Sequence, residues 1–310
     1  IRDRSPSRGL GDVYKRQRDA EREADRFGLS TLQNAGFDPL GMEAFFERLQ
    51  QNNRWYETTS TAYISTHPMT TERMSDMQNR TRNMAPVTHR DSMDFFLVKA
   101  RARVLQETTY DGWLKVSKSF ENELKRHPTG YSLVATQYGL SVAYAKMNQK
   151  DKALAAIRAA KAASKEKSVI LDKHLSELTY QVAKTQAQKD QALAVAKRTC
   201  EQYPYSGLAA SNYVELLFQS GKHQELVDYL RKQSALSRTN PDYHMYLARS
   251  YEALGKKSMA FAATGDMYAL LDNPRAAVYQ FELAQKANDG DFYIMSEIDA
   301  KLRELRQKVL

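Results

Sequence analysis

Two carboxylates near the start of the chain, Glu21 and Asp25, have the residue types and the spacing to bind or support a metal ion. They lie in a stretch rich in Ala, Glu and Arg, which predicts a helix. Residues four apart share one helix face, about 6 Å apart along the axis, so one carboxylate can bind a metal while the other orients a neighbouring ligand. The pattern alone is more typical of a solvated helix face. The neighbouring sequence has to decide between that interpretation and a metal-binding pair.

Two helices are predicted around this pair. In the first, Ala20, Ala24 and Phe27 recur at the three- and four-residue spacing of an apolar helix face, and Gly36 is a helix stop. The second starts at residues 38–39, where Asp precedes Pro. Its apolar residues fall on one face: Met42, Phe45, Phe46 and Leu49.

A polar segment with embedded aromatic residues follows over 50–66 and predicts a loop, the kind of segment that often carries function. A third helix is predicted from about 71 to 82. The sequence M-A-P-V at 84–87 then breaks the helical pattern, so we expect a domain boundary at residue 86.

Three ordered motifs extend the pattern of the two carboxylates. Residues 21–29 read E-x-E-A-D-R-x-G-L, residues 35–49 read A-G-F-D-P-x-x-M-x-x-F-F-x-x-L, and T-H-P at 66–68 is followed by Arg73. Together they resemble the gluzincin family of zinc metallopeptidases, which includes the CAAX prenyl proteases. The fold that this resemblance implies is the tail helices of a zincin-type protease domain.

The resemblance also implies a cofactor and roles for three residues. Zn²⁺ would be the metal, Glu21 its third ligand, and Asp25 the support of a histidine ligand. His67 would lie close to the active site, as a catalytic or regulatory contact. From the residues alone, His67 is equally well placed to cap the helix that begins near Thr71.

The histidine motif that such a peptidase needs is absent from the sequence. Two histidines one helical turn apart, in H-E-x-x-H, bind zinc, and the Glu between them activates water. The chain has histidines at positions 67, 89, 127, 174, 223 and 244, and no two are four residues apart. We therefore expect residues 18–86 to be the C-terminal part of a metallopeptidase domain, and this chain alone to bind zinc poorly and to be inactive.

The first 17 residues, IRDRSPSRGLGDVYKRQ, differ from the rest in composition and periodicity. They resemble non-native, adapter-derived sequence, and the family resemblance begins at about Arg18, so we exclude residues 1–17 from the fold prediction. A natural disordered basic tail is the alternative.

Composition and charge argue against other classes of protein. The formal net charge is +9, and residues 1–17 contribute three of those charges. The remaining charges alternate along predicted helices, without the basic stripe or the module of a nucleic-acid-binding protein. No apolar run approaches the about 18–20 residues of a transmembrane helix, although weak attraction to an anionic membrane surface is compatible with the charge. The single cysteine, Cys200, is expected to be a packed thiol.

Residues 87–310 carry a helical repeat. Small or apolar residues mark the second helix of each pair at positions 153, 192, 226, 260 and 277, in steps of 39, 34, 34 and 17 residues. Thirty-four is the tetratricopeptide period. The last step is half a repeat, so we expect the helix over 257–271 to be shared between two overlapping pairs.

Other segments complete the predicted array, which makes the fold all-α: a tetratricopeptide-repeat α-solenoid after the protease tail. Residues 94–107 and 112–126 predict an earlier, divergent pair, and 293–309 a capping helix. Function would lie in polar residues of the concave face, for which Asn148, Asn212 and Tyr213 are candidates by position.

Two functions fit the sequence. The resemblance implies part of a zinc endopeptidase for quality control of outer-membrane proteins in the periplasm of a Gram-negative bacterium. Its repeats would bind protein substrates or the outer-membrane assembly machinery. The alternative is a non-catalytic tetratricopeptide scaffold for protein–protein binding. An array with its own catalytic centre has no support, because no phosphate loop, Cys-x-x-Cys or Ser-His-Asp spacing occurs.

Overall fold

The computed structural model describes residues 7–53 and 71–309, and within these ranges the regular structure consists of sixteen helices without a strand. The all-α prediction is confirmed. The chain divides into two compact units between Asp91 and Ser92, five residues after the predicted boundary. We call residues up to 91 the first unit and the rest the second unit.

Three helices build the described part of the first unit: α1 (Ser7–Asn34), α2 (Leu40–Asn53) and α3 (Thr71–Thr81). Helix α1 ends before Gly36, whose φ of +78° is a left-handed conformation that glycine adopts without strain. The Leu40 N–H donates to Asp38 Oδ1 at 3.1 Å and caps α2. The small core consists of Leu29, Phe46, Met74 and Met77.

The apolar face predicted for α1 is wrong. Ala20 and Ala24 are exposed, and Phe27 is 67% exposed. The buried side of α1 instead carries Asp25 and Leu29. A helical stripe of apolar residues does not reveal which side faces the neighbours when the partner helix presents charges.

Smaller differences concern the ends of helices and the second predicted face. Helix α1 begins at Ser7, so it continues through part of the segment that we excluded. Helix α2 extends to Asn53, four residues into the predicted loop. Phe45 is 53% exposed although Phe46 is buried, because adjacent residues on a helix point about 100° apart.

The second unit consists of α4 (Met93–Leu105), α5 (Tyr110–Leu124), α6 (Gly130–Lys146), α7 (Lys150–Ala163), α8 (Val169–Val182), α9 (Gln186–Gln202), α10 (Gly207–Gln219), α11 (His223–Leu230), α12 (Ser234–Thr239), α13 (Pro241–Ala253), α14 (Lys257–Leu270), α15 (Pro274–Ala287) and α16 (Phe292–Val309). Hydroxyl or amide side chains accept hydrogen bonds from the first-turn amides of seven of these helices: Ser92, Thr109, Ser168, Thr185, Ser206, Asn240 and Asn273. The short helix α12 has no counterpart in the sequence prediction.

Helical hairpins repeat along this unit. The marker residues Ala153, Ala192, Leu226 and Ala277 are fully buried, and Ala260 is half-buried. Left-handed residues recur in the turns inside the hairpins, at Asn148, Gly221, Gly255 and Asp272. The last three are spaced by 34 and then 17 residues, as the markers are.

Helix α14 packs against both α13 and α15, as the half-length step predicts. Gly265 lies against the ring of Phe281, where a Cβ atom would come within 2.6 Å of the ring carbons. The small residue therefore lets α14 and α15 approach closely. Across the described residues, none of the helices is both long and apolar enough to cross a bilayer.

Candidate functional site

Arg73 holds the two carboxylates that the sequence singled out. Its Nε lies 2.7 Å from Asp25 Oδ2 and its Nη2 lies 2.7 Å from Asp25 Oδ1, a bidentate pair. Its Nη1 lies 3.3 Å from Glu21 Oε2. One guanidinium on α3 thus bridges two acids one turn apart on α1, because its planar fork matches carboxylate geometry.

This cluster is largely shielded from water. The side chains of Arg73, Asp25 and Glu21 are 12%, 7% and 15% exposed. Phe46 of α2 lies under the guanidinium, with its ring centroid 5.5 Å from Arg73 Cζ, and covers the cation on one side. Within these three side chains, one guanidinium faces two carboxylates.

Exposed ion pairs continue the contact between α1 and α3 on both sides of the cluster. Arg22 pairs with Glu72, and Arg26 Nε lies 3.9 Å from Asp76 Oδ2. The Asp76 carboxylate also accepts a 2.9 Å hydrogen bond from Arg80, which is the largest cause of the lowered pKa of Asp76. Acids and bases at four-residue intervals therefore align the two helices.

The described residues supply only part of a metal site. Within residues 7–53 and 71–309, no three His, Cys, Asp or Glu side chains form a metal-binding group. Glu21 is one carboxylate donor, and among the residues that the structure describes no histidine pair accompanies it. We derive no metal-dependent step from this chain. The roles of Glu21 as a zinc ligand and of Asp25 as a support for a histidine stay predictions, and Asp25 here binds Arg73.

The predicted residue His67 lies outside the described residues, so its approach to an active site also stays a prediction. Arg73 belonged to the motifs that carried the resemblance, but its bridge to both acids had no sequence signal. The two helix segments are about 50 positions apart in the chain, and only folding brings them together.

The three polar candidates of the repeats do not form a binding face. Asn148 is exposed but occupies a left-handed turn, with φ of +60°. Asn212 is 1% exposed and its amide donates to Ser176 Oγ at 2.7 Å. Tyr213 is 2% exposed and its hydroxyl donates to Glu225 at 2.7 Å. The last two side chains hold helices together inside the array.

A serine, a histidine and a glutamate in the second unit are ordered like a nucleophile, a base and an acid. Ser141 Oγ lies 3.1 Å from His174 Nε2, and His174 Nδ1 lies 3.8 Å from Glu177 Oε2. Ser141 is fully buried, however, and its hydroxyl donates to the Ala153 carbonyl at 2.6 Å. A substrate cannot reach it, so this network connects α6, α7 and α8 and has no catalytic role.

Comparison with known proteins separates the two units. Residues 11–81 match the model of peptidase family M48. The beta-barrel assembly-enhancing protease of Escherichia coli (strain K12) is 26% identical over 297 residues, which cover 93% of this chain and 57% of that protein. The putative beta-barrel assembly-enhancing protease of Vibrio cholerae is 32% identical over 141 residues, 44% of this chain and 27% of that protein.

Solved structures resemble the helical array. A tetratricopeptide repeat protein from Parabacteroides merdae aligns with 84% of this chain and 98% of its own, at a TM-score of 0.43 and 11% identity. The chain spans about half the length of the curated relatives it matches, 57% for the first. The first unit resembles the peptidases of family M48, and most of the chain resembles the beta-barrel assembly-enhancing proteases.

Proposed function

We propose that this chain, whose first unit resembles the M48 peptidases, contributes one metal ligand and a protein-binding repeat array to a zinc-dependent endopeptidase. That peptidase acts in quality control of outer-membrane proteins in the periplasm of a Gram-negative bacterium, and the repeats bind its substrates or the assembly machinery. The similarity to beta-barrel assembly-enhancing proteases supports this role. Without H-E-x-x-H, the chain alone is inactive.

The observation that carries the proposal is the inward orientation of the acids on α1. Asp25 is 5% exposed while Phe27 is 67% exposed, although burying the aromatic ring is the more favourable choice for a helix that only packs. Burial of charged groups costs free energy unless they are paired, and here one arginine serves two acids.

Each residue of the cluster then has a distinct role. Asp25 occupies two donors of Arg73 and fixes the plane of the guanidinium. Arg73 in turn holds Glu21 in place before a metal arrives, so little side-chain entropy is lost on binding. Zinc would be held by Glu21 together with the two histidines of the motif that this sequence lacks, and Asp25 and Arg73 are positioning residues.

A tetratricopeptide scaffold without catalysis is the second candidate. It is favoured by one observation: no group of three metal-binding side chains occurs in the part of the chain that the structure describes. In this case the first unit only anchors the array, and binding lies wholly in the repeats.

Metal content tests the two candidates. We would measure zinc by mass spectrometry and casein cleavage for this chain and for a version extended upstream in its gene to include an H-E-x-x-H motif. The proposal expects zinc and activity only in the extended version. Absence of zinc from both versions would establish the scaffold.

A matched pair of variants in the extended version tests Glu21 itself. Glu21→Gln keeps the shape but removes the charge, so zinc content and proteolysis should be lost while the helical circular dichroism stays unchanged. Glu23→Gln alters an exposed acid on the same helix and should keep both. Full zinc content and full activity in Glu21→Gln would show that Glu21 is not a ligand.

A further inference from the structure

A cavity of about 600 Å³ lies in the second unit between α13, α14 and α16. Its volume is in the range of about 300–1,000 Å³ that small-ligand sites occupy. It forms where the repeat spacing falls from 34 to 17 residues, because α14 belongs to two pairs and α16 packs beside it. The cavity is therefore a product of the irregular step in this array.

One buried polar atom in the wall of the cavity lacks a partner. The His244 side chain is 9% exposed, and its Nε2 lies 2.7 Å from the Ser237 carbonyl oxygen. A carbonyl only accepts hydrogen bonds, so Nε2 carries a proton, and in this tautomer of the imidazole Nδ1 is the atom with the lone pair. Nδ1 has no hydrogen-bond partner, and Asp266 Oδ2 is 3.9 Å away, too far for one. The position suits an N–H donor from a ligand.

Some charged side chains in the wall of the cavity have a partner of opposite charge, and others do not. Asp266 pairs with Lys301 at 2.9 and 3.0 Å, and Glu297 lies 3.6 Å from the same lysine. Arg231 and Arg238 also line the cavity, and among the described residues neither guanidinium group has a hydrogen bond or an ion pair. Two guanidinium groups are thus available for a carboxylate, which they recognise through paired N–H groups.

The rest of the wall is apolar. Leu247 and Tyr251 come from α13, Met259 from α14, Phe281 from α15 and Ile298 from α16. A large aliphatic or aromatic side chain in this space would be removed from water on several sides, which favours its binding.

We propose that this cavity binds an extended peptide segment in which a large apolar side chain is next to a carboxylate. The apolar side chain enters the space between Leu247 and Phe281, the backbone N–H donates to His244 Nδ1, and the carboxylate pairs with Arg231 and Arg238. A peptide presents these three groups within one or two residues. The inference rests on the proposed role of the array in protein binding but not on the metal site.

Fluorescence anisotropy with labelled octapeptides tests the proposal on the full 310-residue chain. The probe carries a central Phe-Asp pair, and three further peptides replace Phe by Ala, replace Asp by Asn, or move the carboxylate to a free C-terminus after Phe. We expect binding of the probe and about tenfold weaker binding after either replacement. Comparison of the affinities for the peptide with the internal Asp and the peptide with the free C-terminus shows which of the two carboxylates the arginines bind more tightly.

Variants of the protein complete the test. Ala262→Leu narrows the cavity and should weaken binding of the probe about tenfold or more. Arg238→Gln changes an exposed residue and should abolish the preference for Asp over Asn. Arg303→Gln, on an exposed position of α16 outside the cavity wall, is the control and should bind normally.

Failure to bind any acidic and apolar peptide would overturn the inference, as would binding that neither Ala262→Leu nor Arg238→Gln weakens. Should Ala262→Leu lower the helical signal, the Arg238→Gln result decides. These assays need no metal and no catalysis. A negative zinc test would therefore leave the peptide result intact, and a negative peptide result would leave the zinc test intact.

Discussion

The helices of the two units are held together by different kinds of contact. In the first unit, an arginine and two carboxylates lie between α1 and α3, and the apolar core beside them is small. In the second unit, rings such as Phe120 and Phe281 fill grooves that Gly139 and Gly265 leave open. Ion pairs stabilise the helix contacts of the first unit, and close packing of complementary apolar side chains stabilises those of the second unit.

The first unit is therefore suited to holding reactive groups in place, and the second unit is suited to presenting a binding surface. Buried charges are costly and tolerate little change, but they fix atoms in positions where a reaction needs them. Apolar packing of small and large residues is stable and repeats along an array, which leaves the surfaces free to vary. Variants that act on one unit alone can break or sharpen the comparison.

The largest effect is expected for Arg73→Gln. It removes the guanidinium that pairs with the buried Asp25 carboxylate, so the first unit should lose about 3–5 kcal/mol of stability. Hydrogen exchange followed by mass spectrometry should show faster exchange in α1 and α3 and unchanged exchange in α4–α16.

Arg22→Gln is the matched control for that prediction. The Arg22 side chain is 32% exposed and its partner Glu72 is 50% exposed, so the loss should stay below about 1 kcal/mol. Equal losses in the two variants would show that the buried cluster has no special weight.

A smaller effect, confined to the second unit, is expected for Gly139→Ala. The new Cβ would lie 2.4 Å from Phe120 Cζ, and overpacking of this kind costs about 1–3 kcal/mol. Alanine favours a helix over glycine by about 1 kcal/mol, so the net loss in denaturant unfolding should be about 0–2 kcal/mol.

A second substitution separates steric strain from other causes. Phe120→Leu replaces the facing ring by a smaller side chain. In a protein that carries Phe120→Leu, Gly139→Ala should therefore lower the free energy of unfolding by less. Gly207→Ala, where no atom lies within 4 Å of the added carbon, should not destabilise the array. A stabilising effect of Gly139→Ala would contradict packing by shape.

The smallest effect is the pH dependence of the second unit. Burial, the largest influence on His174, lowers its pKa below 6.5, although Glu177 acts in the opposite direction. The unfolded chain then binds a proton more readily, so stability is full above pH 6.5 and decreases as the pH falls toward the folded-state pKa. Each unit of pKa difference corresponds to about 1.4 kcal/mol.

Thermal unfolding between pH 7.5 and 5 measures this dependence. Glu177 has a lowered pKa as well, but its contribution is lost only below pH 4.5, outside this window. His174→Gln removes the titrating group and should flatten the dependence of the second unit. An equally steep curve in His174→Gln would assign the titration to another residue.

The sequence was informative where structure repeats and uninformative where distant segments meet. Ala153, Ala192 and Ala277 could be placed in the core because they recur in phase, and the structure buries them fully. The inward face of α1 could not be predicted, because it depends on Arg73, which lies 48 residues beyond Asp25.

The candidate sites show the same limit. Glu21 and Asp25 could be predicted because they lie four residues apart on one helix. Their shared partner Arg73 could not be predicted, because no local sequence pattern links it to them. The cavity next to His244 combines side chains from Arg231 to Lys301, which lie on several helices. His67 stays a prediction, since it lies outside the described residues.

Helix α14, which packs against both α13 and α15, determines how the end of the array comes apart. In a regular array, each terminal hairpin can detach by itself, so unfolding proceeds one repeat at a time. A helix that serves two hairpins cannot leave one without leaving the other. We therefore expect the last four helices to open as a single cooperative block, with one common exchange rate for their amide protons.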